Sequence, residues 1–342
     1  PNEHNDWLNQ RNDTFETYIP LTGEKKFDKD TKSIFTVQTS GVATGRDFWV
    51  YNSSKESLAK NISDTLRFYN KQREKFFNSD KKALVKDFVE YDSEKISWTR
   101  ALLQNIERNR PYKFEPNSVY ESIYRPFFKQ ALYFNRSLNE VVYQLPKLYP
   151  TRDYKSLAII VSGIGASKEF SSLIVNILPN YHTLDTDSCF PLYYYEKVEE
   201  DNGQKSLFDK GEDEYIRRDG ISDFILEHCR QEYGHKVTKE DIFYYVYGLL
   251  HSKEYKEAFA SDLKKMLPRI PLVNSAEKFR AFSKAGRDLA ELHLNYETQK
   301  PPTSVEVIGD KSGDFIVEKM HFQSKTQKDT IIYNSKITIK NI

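Results

Sequence analysis

The hydrophobic pattern of the chain changes its period twice, and this limits the possible folds more than any other feature. Residues 119–161 contain short apolar runs separated by turn residues, as β-strands do. Residues 221–296 repeat apolar side chains at helical spacing, and residues 304–342 return to alternation. The order predicts an α+β fold, with a mixed β-rich region followed by a helical cluster and C-terminal β hairpins.

Several individual elements can be placed within this order. Ser53 and Glu56 have the spacing of a capping box, so we expect a helix with an apolar face over Leu58–Tyr69. The glycine-containing turn before it should lead into a short strand at Phe48–Tyr51. We expect residues 197–220, which are charged, to form a surface loop. Four helices are expected in the helical cluster, ending near Gly234, after Leu249, before Pro268 and near His293.

Residues 1–35 are polar and rich in Asn, Asp and Lys, which predicts a linker from an upstream domain. The remaining chain, residues 36–342, is expected to be one domain. It divides into a β-rich part (36–196), a helical part (221–296) and β hairpins (304–342). Because the chain begins at Pro1 and ends at Ile342 within an alternating run, we expect both ends to continue in a longer protein.

Composition bounds the class of protein. The 23 Tyr and 22 Phe can fill a sizeable core despite a mean hydropathy of −0.70. Two cysteines, Cys189 and Cys229, exclude a disulfide framework and a four-cysteine zinc site, so we expect a reducing, cytoplasmic location. No apolar run approaches the roughly 18 residues of a membrane span, and no membrane partner is expected.

Charge is unevenly distributed along the chain. The net charge is only +1, which argues against a general polyanion binder. Residues 100–155 carry ten Lys or Arg against five acids, whereas residues 185–223 carry twelve acids against five bases. Such a division is typical of a protein with one face for phosphates and another turned away. Ordinary surface variation would also produce it, and both interpretations stay open.

The string Leu157–Lys168 is the most tempting candidate for catalysis, because an apolar strand runs into a Gly-rich turn. Phosphates or S-adenosylmethionine bind at such turns in α/β folds. The chain contains no Gly-Lys pair, and Lys168 occupies the position of the third glycine in the dinucleotide pattern. The alternatives are nucleotide binding, contact of the turn or Lys168 with a DNA phosphate, and a purely structural turn.

Other catalytic motifs are incomplete. In Asn109–Tyr112, Arg110 replaces the first proline that an adenine amino methyltransferase requires. A magnesium-dependent nuclease of the restriction type requires a Pro-Asp pair, which the sequence lacks, and His228, Cys229 and His235 lack zinc-ligand spacing. We therefore expect no catalytic residues, no metal site and no cofactor in this chain.

The remaining signals indicate recognition. Arginine reads guanine and asparagine reads adenine by paired hydrogen bonds, while lysine neutralises phosphates. Arg46 lies in a glycine-flanked turn and should project, and Arg125 precedes a proline at a strand end. The alternative is that the neighbouring aromatics are core and Arg125 is a satisfied internal arginine. The candidate DNA-binding residues are Thr44, Arg46, Asp47, Tyr124, Arg125, Lys129, Asn135, Arg136, Ser162 and Lys168.

Long strings covering nearly the whole chain carry a family resemblance. They include Gly41–Asn52, Tyr124–Phe134, Val161–Gly165, Cys189–Tyr193, Ile242–His251, Lys264–Val273 and Leu289–Tyr296. In these strings the chain resembles the C-terminal specificity region of type ISP restriction–modification enzymes, single-polypeptide enzymes of bacterial phage defence. The resemblance also implies truncation, because similar sequences continue beyond Asn334 into a further helical stretch.

The resemblance implies a division of labour within a larger enzyme. A nuclease, an ATP-driven translocase and an adenine methyltransferase would lie upstream and bind ATP, Mg and S-adenosylmethionine. This chain would recognise double-stranded DNA and present the target adenine to the methyltransferase. Two alternatives remain open: an S-adenosylmethionine-dependent methyltransferase fragment that uses the Val161–Gly165 turn, and a coupling or scaffold module that does not touch DNA.

Because the chain lacks the residues for each reaction, we predict that the purified protein has no nuclease, ATPase or methyltransferase activity. Hydrolysis of ATP, cleavage of DNA and transfer of labelled methyl groups can be measured in one preparation. ATP turnover that co-purifies with the protein through stringent purification would contradict this prediction.

Overall fold

The fold is described from a computed structural model of the chain, which describes residues 11–79, 83–198, 214–309 and 316–342. Two compact units divide at Leu294 and Asn295. The helices of the first unit are α1 (Asp47–Val50), α2 (Lys55–Phe77), α3 (Val85–Phe88), α4 (Arg100–Glu107), α5 (Leu145–Leu148), α6 (Asp223–Tyr233), α7 (Lys239–His251), α8 (Lys253–Ala258), α9 (Ala260–Leu263) and α10 (Ala276–Leu294).

The strands of this unit are β1 (Ile19–Pro20), β2 (Thr39–Ser40), β3 (Tyr51–Asn52), β4 (Val119–Arg125), β5 (Phe128–Tyr133), β6 (Ala158–Val161), β7 (Ser172–Val175), β8 (Leu178–Pro179), β9 (Ser188–Pro191), β10 (Tyr193–Lys197), β11 (Tyr215–Asp219) and β12 (Arg269–Ile270). They form two four-stranded sheets, β2-β9-β6-β7 and β3-β5-β4-β8, and the pairs β10-β11 and β1-β12. Among these strands of the described residues, β4 and β8 are the pair that runs parallel, and the other pairs are antiparallel.

The sheet β2-β9-β6-β7 separates two hydrophobic cores. Every residue of β6, β7 and β9 is buried. Successive side chains of a strand point to opposite faces. Ala158 and Ile160 accordingly pack in the core with α2 and the second sheet, while Ile159 and Val161 pack in the core with α7 and α10. Burial on both faces explains why these strands are continuously apolar in sequence.

The helices confirm the predicted apolar faces. Leu58–Tyr69 presents its four predicted apolar side chains to the first core. Ser54, not Ser53, caps α2 by accepting a hydrogen bond from the backbone N–H of Ser57, so the predicted start was one residue early. In α7, Thr238 and Asp241 form a reciprocal capping box. Predicted helix ends near Gly234 and His293 are also confirmed.

Three predicted elements differ in the structure. The strand predicted at Phe48–Tyr51 is wrong: the helical turn α1 forms first, where the Thr44 hydroxyl bonds both the nitrogen of Arg46 and the Asp47 carboxylate, and only Tyr51 enters a strand. The loop predicted at 197–220 is wrong at β11, which pairs with β10; residues 199–213 lie outside the described residues. The helix predicted before Pro268 is divided into α8 and α9 at Phe259.

The predicted linker is packed where the structure describes it. Of residues 1–35 the structure describes 11–35, and Phe15, Leu21 and Ile34 are buried in the second core. Strand β1 pairs with β12 through Ile19 and Ile270. This stretch is therefore not a free linker but part of the folded unit, because its apolar side chains cover the helices. The position of the upstream boundary stays a prediction.

The second unit contains the predicted C-terminal hairpins. Its strands are β13 (Glu306–Gly309), β14 (His321–Phe322), β15 (Thr330–Ile332) and β16 (Ile337–Lys340). They form one antiparallel sheet in the order β13-β16-β15-β14. The turn predicted at Lys325–Lys328 joins β14 to β15. The turn predicted at Gly309–Asp314 lies, after Gly309, outside the described residues.

Helices α7 and α10 cross at two glycines. A Cβ added at Gly286 would lie 2.0 Å from the carbonyl oxygen of Tyr244 and 2.8 Å from the nitrogen of Gly248. A Cβ added at Gly248 would lie 2.4 Å from the carbonyl oxygen of Phe282. No side chain fits between backbones this close, so the two glycines set the distance between the helices. No helix in the described ranges has the length and apolar character of a membrane span.

We predict that Gly286→Ala destabilises the protein by about 1–3 kcal/mol, because the added methyl group forces the helices apart. The direction is informative, since Gly→Ala within an unpacked helix stabilises by about 1 kcal/mol. Urea unfolding measures the change, with the exposed neighbour substitution Ala285→Ser as the control. A more stable Gly286→Ala protein would show that the helices do not meet at this position.

Candidate nucleic-acid interface

The β4–β5 hairpin projects an arginine beside two aromatic rings. Arg125 pairs with Phe128 after a register shift at the end of β4, and Phe127 at the tip has a φ of 56°. Phe127 and Phe128 are exposed. The guanidinium of Arg125 lies over the ring of Tyr124, 4.0 Å from its centroid, which is close enough for a cation–π interaction. The prediction of Arg125 at a strand end is confirmed.

A second loop holds the same guanidinium. Nη1 of Arg125 donates to the carbonyl oxygen of Tyr124 at 2.6 Å and to Oδ1 of Asn180 at 3.2 Å. Nη2 lies 4.0 Å from Oδ2 of Asp47. The amide of Asn180 also donates to the hydroxyl of Tyr51 at 3.1 Å and to Oδ2 of Asp47 at 3.4 Å. We call Asp47, Tyr51, Tyr124, Arg125 and Asn180 the Arg125 cluster.

Burial distinguishes the members of the cluster. Asn180 is buried, whereas the side chain of Arg125 is 41 % exposed and that of Asp47 is 29 % exposed. Burial raises the pKa of the Tyr51 and Tyr124 hydroxyls, and the nearby Asp47 carboxylate raises both further. These tyrosines therefore stay neutral hydrogen-bonding groups at physiological pH. The cluster is a fixed group of polar side chains from which one edge of the Arg125 guanidinium is exposed.

The turn before α1 is held tightly against the loop that carries Asn180. A Cβ at Gly41 would lie 2.2 Å from the carbonyl oxygen of Asn180, so only glycine fits there. The bridge between Val42 and Asn180 continues this contact. Thr44 is buried, and its hydroxyl donates to Asp47. Thr44 thus orients Asp47 and is not itself exposed to a ligand.

Arg46 does not project, contrary to the prediction from its glycine-flanked turn. Its side chain is 2 % exposed and lies inside the protein. Nη2 donates to Oε1 of Glu140 at 2.7 Å and to the hydroxyl of Thr99 at 2.7 Å. Burial lowers the pKa of the guanidinium, and the charge of Glu140 partly offsets this. At this turn the side chain of Arg46 points into the protein, and that of the next residue, Asp47, faces the Arg125 cluster at the surface.

The other predicted residues are separated from the cluster. Asn135 and Arg136 follow β5 at the end opposite Phe128; Asn135 donates to Glu115 and Ser118, and Arg136 is exposed. Lys129 is half-buried on β5 and pairs across the sheet with Ile123. The structure therefore brings together Asp47, Tyr124 and Arg125, with Thr44 behind them, and leaves Asn135, Arg136 and Lys129 outside the cluster.

The Gly163–Gly165 turn is packed at Gly163 and exposed at Ile164 and Gly165. A Cβ at Gly163 would lie 2.0 Å from the carbonyl oxygen of Thr186, and Ser162 is buried with its hydroxyl accepting from the nitrogen of Ser171. The next element in the chain is the strand β7 and not a helix, unlike in the phosphate-binding turns of α/β folds. Lys168 is exposed, and its charge helps lower the pKa of Asp185, after two hydrogen bonds from Ser167. Among the described residues, no group of His, Cys, Asp and Glu is arranged to hold a metal ion.

Comparison with known proteins identifies the family. The family described as the Type ISP C-terminal specificity domain matches residues 33–342. This chain belongs to that family. No curated protein matches the chain.

Solved structures of restriction–modification enzymes of the type ISP class, and of DrdV, are similar to this specificity domain. A nuclease-deletion mutant of the enzyme LlaGI, in complex with a DNA substrate mimic, is 37 % identical over 100 % of this chain with a TM-score of 0.82. LlaBIII bound to DNA is 34 % identical over 100 % with a TM-score of 0.82. A DrdV–DNA complex is 26 % identical over 98 % with a TM-score of 0.83. The chain spans 29 %, 21 % and 32 % of those three chains, respectively.

Sequence reasoning missed Asn180 and Tyr51 in this specificity domain. No sequence motif includes Asn180, and its contact with Arg125 joins residues 55 positions apart. Tyr51 was expected within a strand and not beside a polar group. No local pattern reports such long-range contacts. The positive stretch at 100–155 includes the β4–β5 hairpin, although it does not single out Arg125 within it.

We predict that Arg46→Ala lowers stability by about 2 kcal/mol, because it leaves the half-buried Glu140 and the Thr99 hydroxyl without their partner. Thermal unfolding measures this, and the exposed Arg136→Ala is the control, with an expected change below about 0.5 kcal/mol. Normal stability of Arg46→Ala with selective loss of DNA binding would instead restore the exposed orientation expected from sequence.

We predict from the burial of Asp187 that the free energy of unfolding depends on pH. Asp187 is fully buried in the loop that carries Asn180, and burial raises its pKa to about 7 despite hydrogen bonds from the nitrogens of Leu184 and Asp185. In the unfolded chain the group ionises near 3.8. Between these values the unfolded state has lost the proton and the folded state retains it, so stability falls as pH rises from about 4 to about 7.

The substitution Asp187→Asn should remove this decline, which we expect to amount to about 2–4 kcal/mol. Urea unfolding of both proteins across that pH range makes the comparison. Parallel stability curves for the two proteins would show that Asp187 titrates normally.

Proposed function

We propose that this chain selects the double-stranded DNA sequence on which a type ISP enzyme acts, and that it presents the target adenine to a methyltransferase domain of the same polypeptide. The family match over residues 33–342 carries this proposal. The similar structures of LlaGI, LlaBIII and DrdV were determined with DNA or a DNA mimic, which supports DNA as the partner. Nuclease, translocase and methyltransferase activities, with ATP, Mg and S-adenosylmethionine, would belong to domains outside this chain.

The Arg125 cluster supplies chemistry that suits DNA recognition. An arginine fixed by neighbouring groups loses little conformational entropy when it binds, so its hydrogen bonds discriminate well between bases. The carboxylate of Asp47 repels phosphates, so the cluster does not attract every anion equally. Lys168 is exposed on a separate turn and is suited to a phosphate contact, which positions DNA without reading it.

The structure gives less support to the two alternative functions. The methyltransferase alternative required a ligand-binding turn at Val161–Gly165, but this turn is packed against Thr186 and leads into a strand. The scaffold alternative assigned the partner surface to the Tyr-rich helices. Tyr245 and Tyr247 are buried in the second core instead, and their hydroxyls bond Pro271 and His293.

The proposal predicts a sequence-specific loss of binding for Arg125→Ala. Duplexes selected by the protein from a random library define the preferred sequence, and scrambled duplexes give the non-specific affinity. Removing a base-reading arginine should cost about 1–3 kcal/mol on the selected duplex and little on the scrambled one. If Lys168 contacts a phosphate, Lys168→Ala should weaken binding to both duplexes and lower the salt slope by about one.

Thermal unfolding of each variant checks that the fold is intact. A selection that yields no preferred sequence would contradict the proposed function. A preferred sequence that Arg125→Ala binds normally would move the recognition surface elsewhere, with the helical cluster as the next candidate.

A further inference from the structure

We propose that Asn180 is a positioning residue that restricts Arg125 to one donor edge, Nε and Nη2, and thereby directs this edge at the N7 and O6 atoms of a guanine in the major groove. The inference rests on the proposed function and names the base that the Arg125 cluster reads. Three features of the cluster carry it: the occupied nitrogen of Arg125, the anchoring of Asn180 and the shape of the exposed edge.

The first feature is that one guanidinium nitrogen is fully used. Nη1 has two hydrogens, and they meet the Tyr124 carbonyl at 2.6 Å and the Asn180 amide oxygen at 3.2 Å. The other two nitrogens, Nε and Nη2, lie on one side of the guanidinium; Nη2 lies 4.0 Å from the Asp47 carboxylate, and the Tyr124 hydroxyl also interacts with Arg125. The two nitrogens that can still donate to a ligand, Nε and Nη2, therefore form a single edge of the guanidinium.

The second feature is that Asn180 cannot move aside. Its backbone N–H donates to the carbonyl oxygen of Ile123 at 3.1 Å, and its backbone carbonyl oxygen accepts from the Thr183 hydroxyl at 3.0 Å. Its amide oxygen also accepts from the nitrogen of His182 at 2.8 Å, while its amide nitrogen donates to Tyr51. These contacts fix the orientation of the amide, so its oxygen faces Arg125 and its nitrogen does not.

The third feature is the chemistry of the edge. Parallel N–H donors on Nε and Nη2 match two adjacent acceptors, and in the major groove guanine alone presents N7 and O6 side by side. Adenine presents a donor beside N7 and would oppose the edge. The ring of Tyr124 beneath the guanidinium and the ion pair with Asp47 keep the fork planar and in place. The arrangement therefore favours guanine over adenine at the position that Arg125 contacts.

The test replaces single guanines of the selected duplex by 7-deazaguanine, which lacks the N7 acceptor but pairs normally. At one position the wild-type protein should lose about tenfold in affinity, the value of one charge-assisted hydrogen bond. Arg125→Ala should show no loss at that position. Asn180→Ala should bind the unmodified duplex more weakly and lose most of the discrimination, with the affinity for scrambled DNA and the salt slope unchanged.

Asn70→Ala is the matched control, because it makes the same change at an asparagine that bonds the backbone of Tyr112, away from the Arg125 cluster. It should keep the discrimination. Full discrimination by Asn180→Ala would overturn the positioning role. The absence of any position where deazaguanine affects the wild type but not Arg125→Ala would overturn the guanine assignment. A wild-type protein without a preferred sequence would instead count against the proposed function itself.

A second measurement does not depend on the stability of the variants. In the free wild-type protein, nitrogen-15 NMR should show hindered rotation of the Arg125 guanidinium, with separate signals for its Nη groups. Other exposed arginines, such as Arg136, should show averaged signals. Free rotation at Arg125 would overturn the inference even if Asn180→Ala failed to fold.

Discussion

The rest of the structure depends on one sheet that is buried on both faces. Strands β6, β7 and β9 send alternate side chains into two cores, so neither core is complete without them. This constraint also determines where the surface loops meet. The loop after β8 packs on the turn before α1, and that contact brings Asn180 to the end of the β4–β5 hairpin. The Arg125 cluster is thus built from three distant segments, and Tyr51, Arg125 and Asn180 lie on or directly after strands of the second sheet, β3-β5-β4-β8.

The polar chemistry divides into an interior part and a surface part. Arg46 joins Glu140 and Thr99 inside the protein, and the neighbouring Asp47 faces Arg125 and Asn180 at the surface. Arg46 and Asp47 are adjacent in one turn but have different functions. Arg46 holds the turn in place, whereas Asp47 lies beside Arg125 at the exposed edge of the cluster. This division separates the buried framework of the turn from the exposed surface of the cluster. Substitutions at Arg125 alter a contact, whereas substitutions at Arg46 alter the fold.

The fold was predictable where apolar patterns are local. The faces of α2 and α7 and the strands β4 to β6 followed from their periodicity, and the C-terminal hairpins followed from alternation. Sequence failed at α1, where the apolar and aromatic residues Phe48–Tyr51 favoured a strand but the hydrogen bonds of Thr44 to Arg46 and Asp47 accompany a helical turn. It also failed for Arg46, because the Glu140 that buries it lies 94 residues away. The candidate site was predicted in part, since Arg125 was found and Asn180 was not.

The central claim is that the choice of DNA sequence resides in this chain. Exchange of the corresponding region of LlaGI, which is 37 % identical over the whole chain, for this chain tests it directly. Mapping of methylated adenines in cells that carry the chimaera then reads out the recognised sequence. The account predicts that methylation moves from the LlaGI sequence to the sequence that this chain selects in isolation. Methylation that remains at the LlaGI sequence would contradict it, because specificity would then lie outside this domain.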